Sequence, residues 1–218
     1  MKGMLQDQKG DTMDEKEFAM LLLKTEALKF NVAQPFTFSS GIKSPIYIDC
    51  RQLISDVDVR ERIVEGLIEL IGECEFEFLA ATASAGIPWA CWMADKMKKP
   101  MVYVRSQQKV HGLKREIEGN PQKDVNYWVI EDLISTGGSS LSTVSTLKKN
   151  SCIVKGCISI FTYTLDEAYK SFEAEGIKTK SLSSFSSALD AAVELEVLSS
   201  EEADKARLWQ NNPRRWMQ

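Results

Sequence analysis

Histidine is almost missing from this 218-residue sequence, where His111 stands alone. The five cysteines, Cys50, Cys74, Cys91, Cys152 and Cys157, are scattered and form no C-x-x-C pair. These two scarcities argue against a Cys/His zinc cluster. An odd set of unpaired thiols suits a reducing compartment, and the cytoplasm is the expected location. A basic excess is lacking too. The net charge is −4, so no broad field draws nucleic acid. No apolar run approaches the roughly 20 residues that span a bilayer, so no membrane partner is expected. Met1–Thr12 is polar and lacks the apolar stretch of a secretion signal. There is no G-x-x-x-x-G-K-[ST] string, and no G-x-G-x-x-G follows a strand, which argues against P-loop and dinucleotide folds.

What is present is ordinary globular material, 44% hydrophobic and 27% charged. Residues 1–12 read as a disordered leader and 13–218 as a single domain. Asp14 can cap a helix whose face carries Phe18, Leu21, Leu22, Thr25 and Leu28, and which ends near Phe30. The stretch Gln34–Asp49, with Phe36, Phe38, Ile46, Tyr47 and Ile48, suits short extended pieces around a turn. Asp56–Gly72 is amphipathic at helical spacing. The chain then alternates. Strands are predicted at Phe76–Ala81, Met101–Val104, Tyr127–Ile130, Cys152–Thr162 and Thr179–Leu182. Helices are predicted at Gly86–Lys98, Ser139–Lys149, Asp166–Glu175, Phe185–Leu195 and Ser200–Gln210. Such alternation predicts an α/β fold, a mostly parallel central sheet flanked by helices. Arg105–Asp124 is polar and without period, the profile of a functional lid.

The strongest local signal is Tyr127–Ser140. A buried strand passes two acids, Glu131 and Asp132, then Leu133, Ile134 and Ser135, and turns through Thr136, Gly137, Gly138 and Ser139 into a helix. Ligands of open α/β sheets bind at the carboxyl ends of strands. A helix start offers unpaired N–H groups and partial positive charge to a phosphate. Gly137 and Gly138 let the backbone approach the anion, and Thr136, Ser139 and Ser140 add hydroxyls. An ordinary βα turn with acids that cap the helix also fits this string. Acids beside an anion nest conflict unless something hydroxylic lies between them. A ribose diol on the carboxylates, with its 5′-phosphate in the nest, resolves the conflict. That is one end of phosphoribosyl pyrophosphate (PRPP).

Val129–Ser140 resembles the PRPP-binding signature of type I phosphoribosyltransferases. Phe36–Asp49, with its Ser-Gly-x-Lys-Ser-Pro-Ile-Tyr-x-Asp string, is similar to the amino-terminal element of the orotate phosphoribosyltransferases. Arg105–Gly112 resembles that family's catalytic loop, Arg-x-x-x-Lys-x-His-Gly. The resemblance runs from about Phe18 to Leu195. It implies a type I phosphoribosyltransferase fold with a small hood near residues 30–50 over the base pocket. It implies transfer of ribose 5-phosphate from PRPP to orotate, giving orotidine 5′-monophosphate and pyrophosphate in pyrimidine biosynthesis.

By the same resemblance PRPP meets Glu131, Asp132, Leu133, Ile134, Ser135, Thr136, Gly137, Gly138 and Ser139. Lys109, Arg105 and His111 are the catalytic residues, acting in the partner subunit's site of a homodimer. Ser84 and Ala85 contact pyrophosphate. Mg²⁺ is the cofactor, with no direct protein ligand assigned and Asp132 reaching it through water. Ser39 and Ser106 stand where some relatives carry lysines. Residues 161–166 lack the arginine that some relatives use for the orotate carboxylate, which leaves Ser135, backbone amides and Lys43 for the base. A purine-type phosphoribosyltransferase, or a PRPP sensor without chemistry, would share the fold.

Overall fold

A computed structural model of the protein describes residues 13–38, 41–105 and 116–216. The chain opens with helix α1 (Glu15–Lys24), in which Asp14 accepts from the amides of Lys16 and Glu17, and Glu17 returns a bond to the Asp14 amide. Such a reciprocal cap contributes about 1 kcal/mol. The helix stops at Lys24 rather than near Phe30. Glu26 takes a left-handed φ of 57°. Leu28–Phe30 then becomes strand β1, so Leu28 is core by way of a strand and not a helical face.

Two small antiparallel pairs make up the amino-terminal element. Strand β1 pairs with β4 (Ile46–Ile48), and β2 (Phe36–Thr37) pairs with β3 (Lys43–Ser44). A 3-10 turn (Cys50–Ser55) leads into α2 (Val57–Ile71), capped by Asp56 and ended by Gly72.

The remaining elements build the sheet in the predicted order. They are β5 (Phe78–Thr82), α3 (Gly86–Met97), β6 (Met101–Val104), β7 (Ile117–Glu118), β8 (Asn126–Ile134) and α4 (Gly138–Lys149). After these come β9 (Ile153–Thr162), α5 (Asp166–Ala174), β10 (Lys178–Ser184), α6 (Phe185–Glu194) and α7 (Ser200–Asn211). The six strands lie in the order β10-β9-β8-β5-β6-β7. All neighbours are parallel except β6 and β7. Strand β7 lies within the stretch expected to be a lid, between the undescribed residues and β8.

The two faces of the sheet are buried differently. Leu79, Ala81, Trp128 and Ile130 pack with α1, α2, α3, α6 and α7 in the larger core. Phe78, Ala80, Tyr127 and Val129 pack with α4 and α5 in the smaller one. The alternation of Leu79/Ala81 against Phe78/Ala80 is the period-2 pattern of a strand buried on both faces. From β5 the chain winds outward through α3 to β6. From β8 it winds the other way through α4 to β9. The strand order therefore reverses between β5 and β8, and the crevice beyond their carboxyl ends is the topological switch point. Among the described residues no helix is long and apolar enough to cross a membrane.

Candidate active site

Strand β8 runs past its neighbour. Phe78–Ala81 of β5 pair with Tyr127–Ile130, while β8 continues to Ile134 beside β9. Glu131 and Asp132 thus lie within the strand, at the level where β5 gives out, and not in a turn after it. They do not cap α4. Its N-cap is Gly137, with φ 81° and no side-chain cap bond. A Cβ at Gly137 would stand 2.8 Å from Phe172, so both the left-handed backbone and the close approach call for glycine. A Cβ at Gly138 would meet nothing within 4 Å, and Thr136, Gly138 and Ser139 are exposed. The start of α4 is therefore an open set of amides facing the crevice.

The second wall is the turn from β5 into α3. Here Ser84 is exposed, Ala85 is half-buried, and the N-cap of α3 is again a residue without a side-chain cap. Helix α3 sits hard against β8, since a Cβ on Gly86 would fall 2.5 Å from the Ile130 carbonyl oxygen. That contact holds the Ser84–Ala85 turn beside the acids. Neither α3 nor α4 has an acid in its first turn, so both present unneutralised positive ends.

The two acids have different surroundings. Glu131 is 4% exposed, and its Oε2 accepts from the Ser140 hydroxyl at 2.9 Å. Its Oε1 accepts from the Asp132 amide at 3.2 Å. Burial, then the neighbouring Asp132 charge, push the Glu131 carboxyl up to about 8. Asp132 is only half-buried. Burial raises it as well, opposed by its hydrogen bond with Glu131 and by the Arg51 guanidinium.

Arg51 comes from the 3-10 turn and is forked onto Asp49 at 2.7 and 2.9 Å, which holds Asp49 below its ordinary value. The adjacent Cys50 thiol lies 3.8 Å from the Asp132 carbonyl oxygen. This encounter of the Asp49–Arg51 turn with the acids joins positions 82 apart in the chain. The Asp-x-Arg string is visible in the sequence, but its partner is not.

Lys43 projects from the β2–β3 hairpin, exposed, with its ammonium on the Thr37 hydroxyl at 2.8 Å. The hairpin is tied to the sheet end through Trp209 of α7, whose indole donates to the Lys43 carbonyl at 2.7 Å. The Trp209 ring meets Phe38, Tyr163 and Phe185, and the Tyr163 amide donates to the Ile134 carbonyl at 3.0 Å. One aromatic layer thus connects the hairpin to the strand end that precedes Ser135. Beside it, Gln210 bonds Thr164 in the segment without arginine. Neither Trp209 nor Gln210 stands out in the sequence as a site residue.

Arg105 leaves β6 at the same sheet end, where its amide donates to the Glu116 carbonyl and its guanidinium pairs with Glu118 at 2.9 Å. Lys109 and His111 lie outside the described residues, as does Ser39. Among the described residues no group of three or more His, Cys, Asp or Glu could hold a metal ion.

This geometry has relatives. An orotate phosphoribosyltransferase of Bacillus mycoides (strain KBAB4) is 44% identical over 201 residues, covering 91% of this chain and 96% of that protein. The crystal structure of orotate phosphoribosyltransferase from Aeropyrum pernix is 26% identical with a TM-score of 0.73, over 84% of this chain and 99% of that one. The Mycobacterium tuberculosis H37Rv orotate phosphoribosyltransferase, solved with PRPP, has a TM-score of 0.64 at 21% identity, covering 81% and 99%. No family model matches. Fold and site together define a type I phosphoribosyltransferase. Within that class, the chain belongs to the orotate phosphoribosyltransferase family.

Proposed function

We propose that the protein transfers the ribose 5-phosphate of PRPP to orotate, forming orotidine 5′-monophosphate and pyrophosphate on the route to UMP. One observation carries this reading. At the switch point, a strand bearing two acids runs directly into an uncapped, glycine-opened helix start. Carboxylates suit a diol, and bare helix amides suit a phosphate dianion. A ribose 5-phosphate needs both, one short turn apart. The family to which the chain belongs supports orotate as the base over a purine.

The 5′-phosphate would sit on the Thr136–Ser139 amides and hydroxyls, with the ribose hydroxyls towards Asp132. Leu133, Ile134 and Ser135 form the floor between them. Pyrophosphate would extend towards Ser84 and Ala85 at the start of α3. As the bond from C1 to the pyrophosphate oxygen breaks, its electron pair leaves with that oxygen. The ring nitrogen of orotate, having lost its proton to solvent, supplies the pair that forms the new bond to C1. Ser135, Lys43 and backbone amides would orient the base.

Arg105, Lys109 and His111 would gather on the leaving group, where charge grows towards the transition state. There they count for more than in the ground state. Closure of their segment would also exclude water. A magnesium ion would arrive on the substrate's own oxygens, and Asp132 would meet it through water. Bound there, Mg²⁺ would neutralise pyrophosphate charge. We further infer a homodimer in which each Lys109 segment serves the partner's site, working in the cytoplasm.

The test is loss of orotate absorbance on adding PRPP and magnesium, run beside adenine, guanine and xanthine. Turnover of orotate alone supports the reading. Turnover of a purine instead, or PRPP binding with no base consumed, overturns it.

A further inference from the structure

We propose that the two adjacent acids have different tasks: Asp132 meets the sugar, whereas Glu131 is a positioning residue that, through Ser140, clasps the start of α4 to β8 and so fixes the phosphate turn. The inference rests on the PRPP reading above and refines it.

Both carboxylate oxygens of Glu131 are already engaged inside the protein, one by the Ser140 hydroxyl and one by the Asp132 amide. Glu131 and Ser140 are 4% and 1% exposed, so the bond between them is sheltered from water. Around Glu131 stand Ser140 from α4, the buried Cys157 from β9 and Asp132 on its own strand. The guanidinium of Arg51 acts on Asp132, the half-exposed member of the pair. A diol could take Glu131 only by breaking a buried hydrogen bond and leaving Ser140 without its acceptor. That exchange costs about 1–3 kcal/mol. Asp132 bonds Glu131 and neighbouring backbone amides, but it is half-exposed and can take a diol without stripping a buried hydroxyl of its acceptor.

The bond also sits where a brace is useful. It spans nine residues, from the strand to the third residue of α4, and encloses the end of β8, the turn at Ser135–Gly137 and the first residues of α4. Helix α4 has no side-chain cap, because its N-cap is Gly137. Ser140 therefore ties the helix start from the side, without occupying an amide that the phosphate would use. A clasp of this kind sets the spacing between the ribose carboxylate and the phosphate nest, and spacing errors of about 1 Å are costly in such sites.

The experiment compares Glu131→Gln, Glu131→Ala, Ser140→Ala and Asp132→Asn in the full chain. It combines steady-state kinetics with calorimetric titration of Mg-PRPP in the absence of orotate. A glutamine can still accept from the Asp132 amide and bond Ser140, so Glu131→Gln should raise the KM for PRPP only about threefold. Ser140→Ala and Glu131→Ala should raise it about tenfold or more, with the KM for orotate little changed. Asp132→Asn should lower kcat/KM for PRPP by about a hundredfold. Melting curves establish that each variant is folded, and Glu131→Gln, which keeps the clasp, carries the decision if an alanine variant is not. The proposal is overturned if Glu131→Gln falls as far as Asp132→Asn, since charge and not bracing would then be at stake. It is equally overturned if a folded Ser140→Ala binds PRPP like the unaltered protein. Because the titration needs no base, it stays informative even if orotate proves not to be the acceptor.

Discussion

The α-helices among the described residues start in two ways. Four of them, α1, α2, α6 and α7, begin with a side-chain cap, from Asp14, Asp56, Ser184 and Ser199. Three of them, α3, α4 and α5, have none. All three uncapped helices follow parallel strands directly, at the carboxyl end of the sheet. They differ again in charge, because α5 carries Asp166 and Glu167 in its first turn and α3 and α4 carry no acid there. Capped helices have spent their free amides on stability. Helix α5 answers its own dipole with carboxylates. Among the described helices only α3 and α4, the two that flank the switch point, have neither a side-chain cap nor an acidic first turn. The lesson is that a binding site can be marked by what a helix start omits.

This contrast can be broken experimentally by moving features between the classes. The largest effect is expected from Gly138→Asp, which gives α4 the acidic start of α5. A Cβ there meets nothing within 4 Å, so folding should survive and the helix should gain about 0.3–1 kcal/mol. The KM for PRPP should nevertheless rise by about a hundredfold, equal to about 2.7 kcal/mol, as seen in initial rates against PRPP concentration. An unchanged KM would mean that α4 binds no phosphate.

Next is Gly137→Ala, which forces a side chain into a left-handed residue and against Phe172. A loss of about 1–3 kcal/mol is expected in denaturant melts, together with weaker PRPP binding. Smaller still, Asp56→Ala and Ser199→Ala should each cost about 1 kcal/mol of stability and leave the kinetics alone. If either capping variant changed the KM for PRPP, the division between structural and functional helix starts would fail.

The smallest effect is in pH dependence, where the two classes have opposite signs. Glu131, raised to about 8 from an ordinary 4.5, contributes stability that is complete below pH 4.5 and is lost as pH climbs towards 8. Glu202, at the capped start of α7, is lowered by bonds from Ser199, so its contribution is present above pH 4.5 and fades as pH falls through its folded value. Melting temperature against pH should therefore lose its neutral-side slope in Glu131→Gln. In Glu202→Gln it should lose part of its acid-side slope.

Much of the fold was legible in the sequence because its signals are local. Met101–Val104 has the same ends in sequence and structure, and Asp56 and Gly72 bracket α2 as capping rules predict. The misplaced end of α1 has a plain cause. Leu28 fits a helical face and a strand equally well, and its strand partner, Ile48, is twenty residues away in the chain. The strand predicted at Tyr127–Ile130 stops short of the two acids, which local pattern does not place in a strand. In the structure, pairing with β9 carries the strand on to Ile134.

The glycine and hydroxyl residues after the strand are a short-range signal, and the structure puts them where that signal does, at an uncapped helix start. The inequality of Glu131 and Asp132 was only half legible. Alternation places Glu131 with Tyr127 and Val129, on the face covered by α4. The Asp49–Arg51 turn near Asp132 and the tie from Trp209 to Lys43 depend on distant parts of the chain, and local pattern does not reach so far.

That last tie affects the order in which the protein can be made. The hairpin that presents Lys43 is anchored by an indole 166 positions downstream. A growing polypeptide can pair β5 with β6, and even shape the turn before α4, while the hairpin still has no anchor. The floor of the site can thus be laid early in translation, but its roof waits for α7. A half-made chain would therefore hold the turn before α4 without the hairpin fixed beside it.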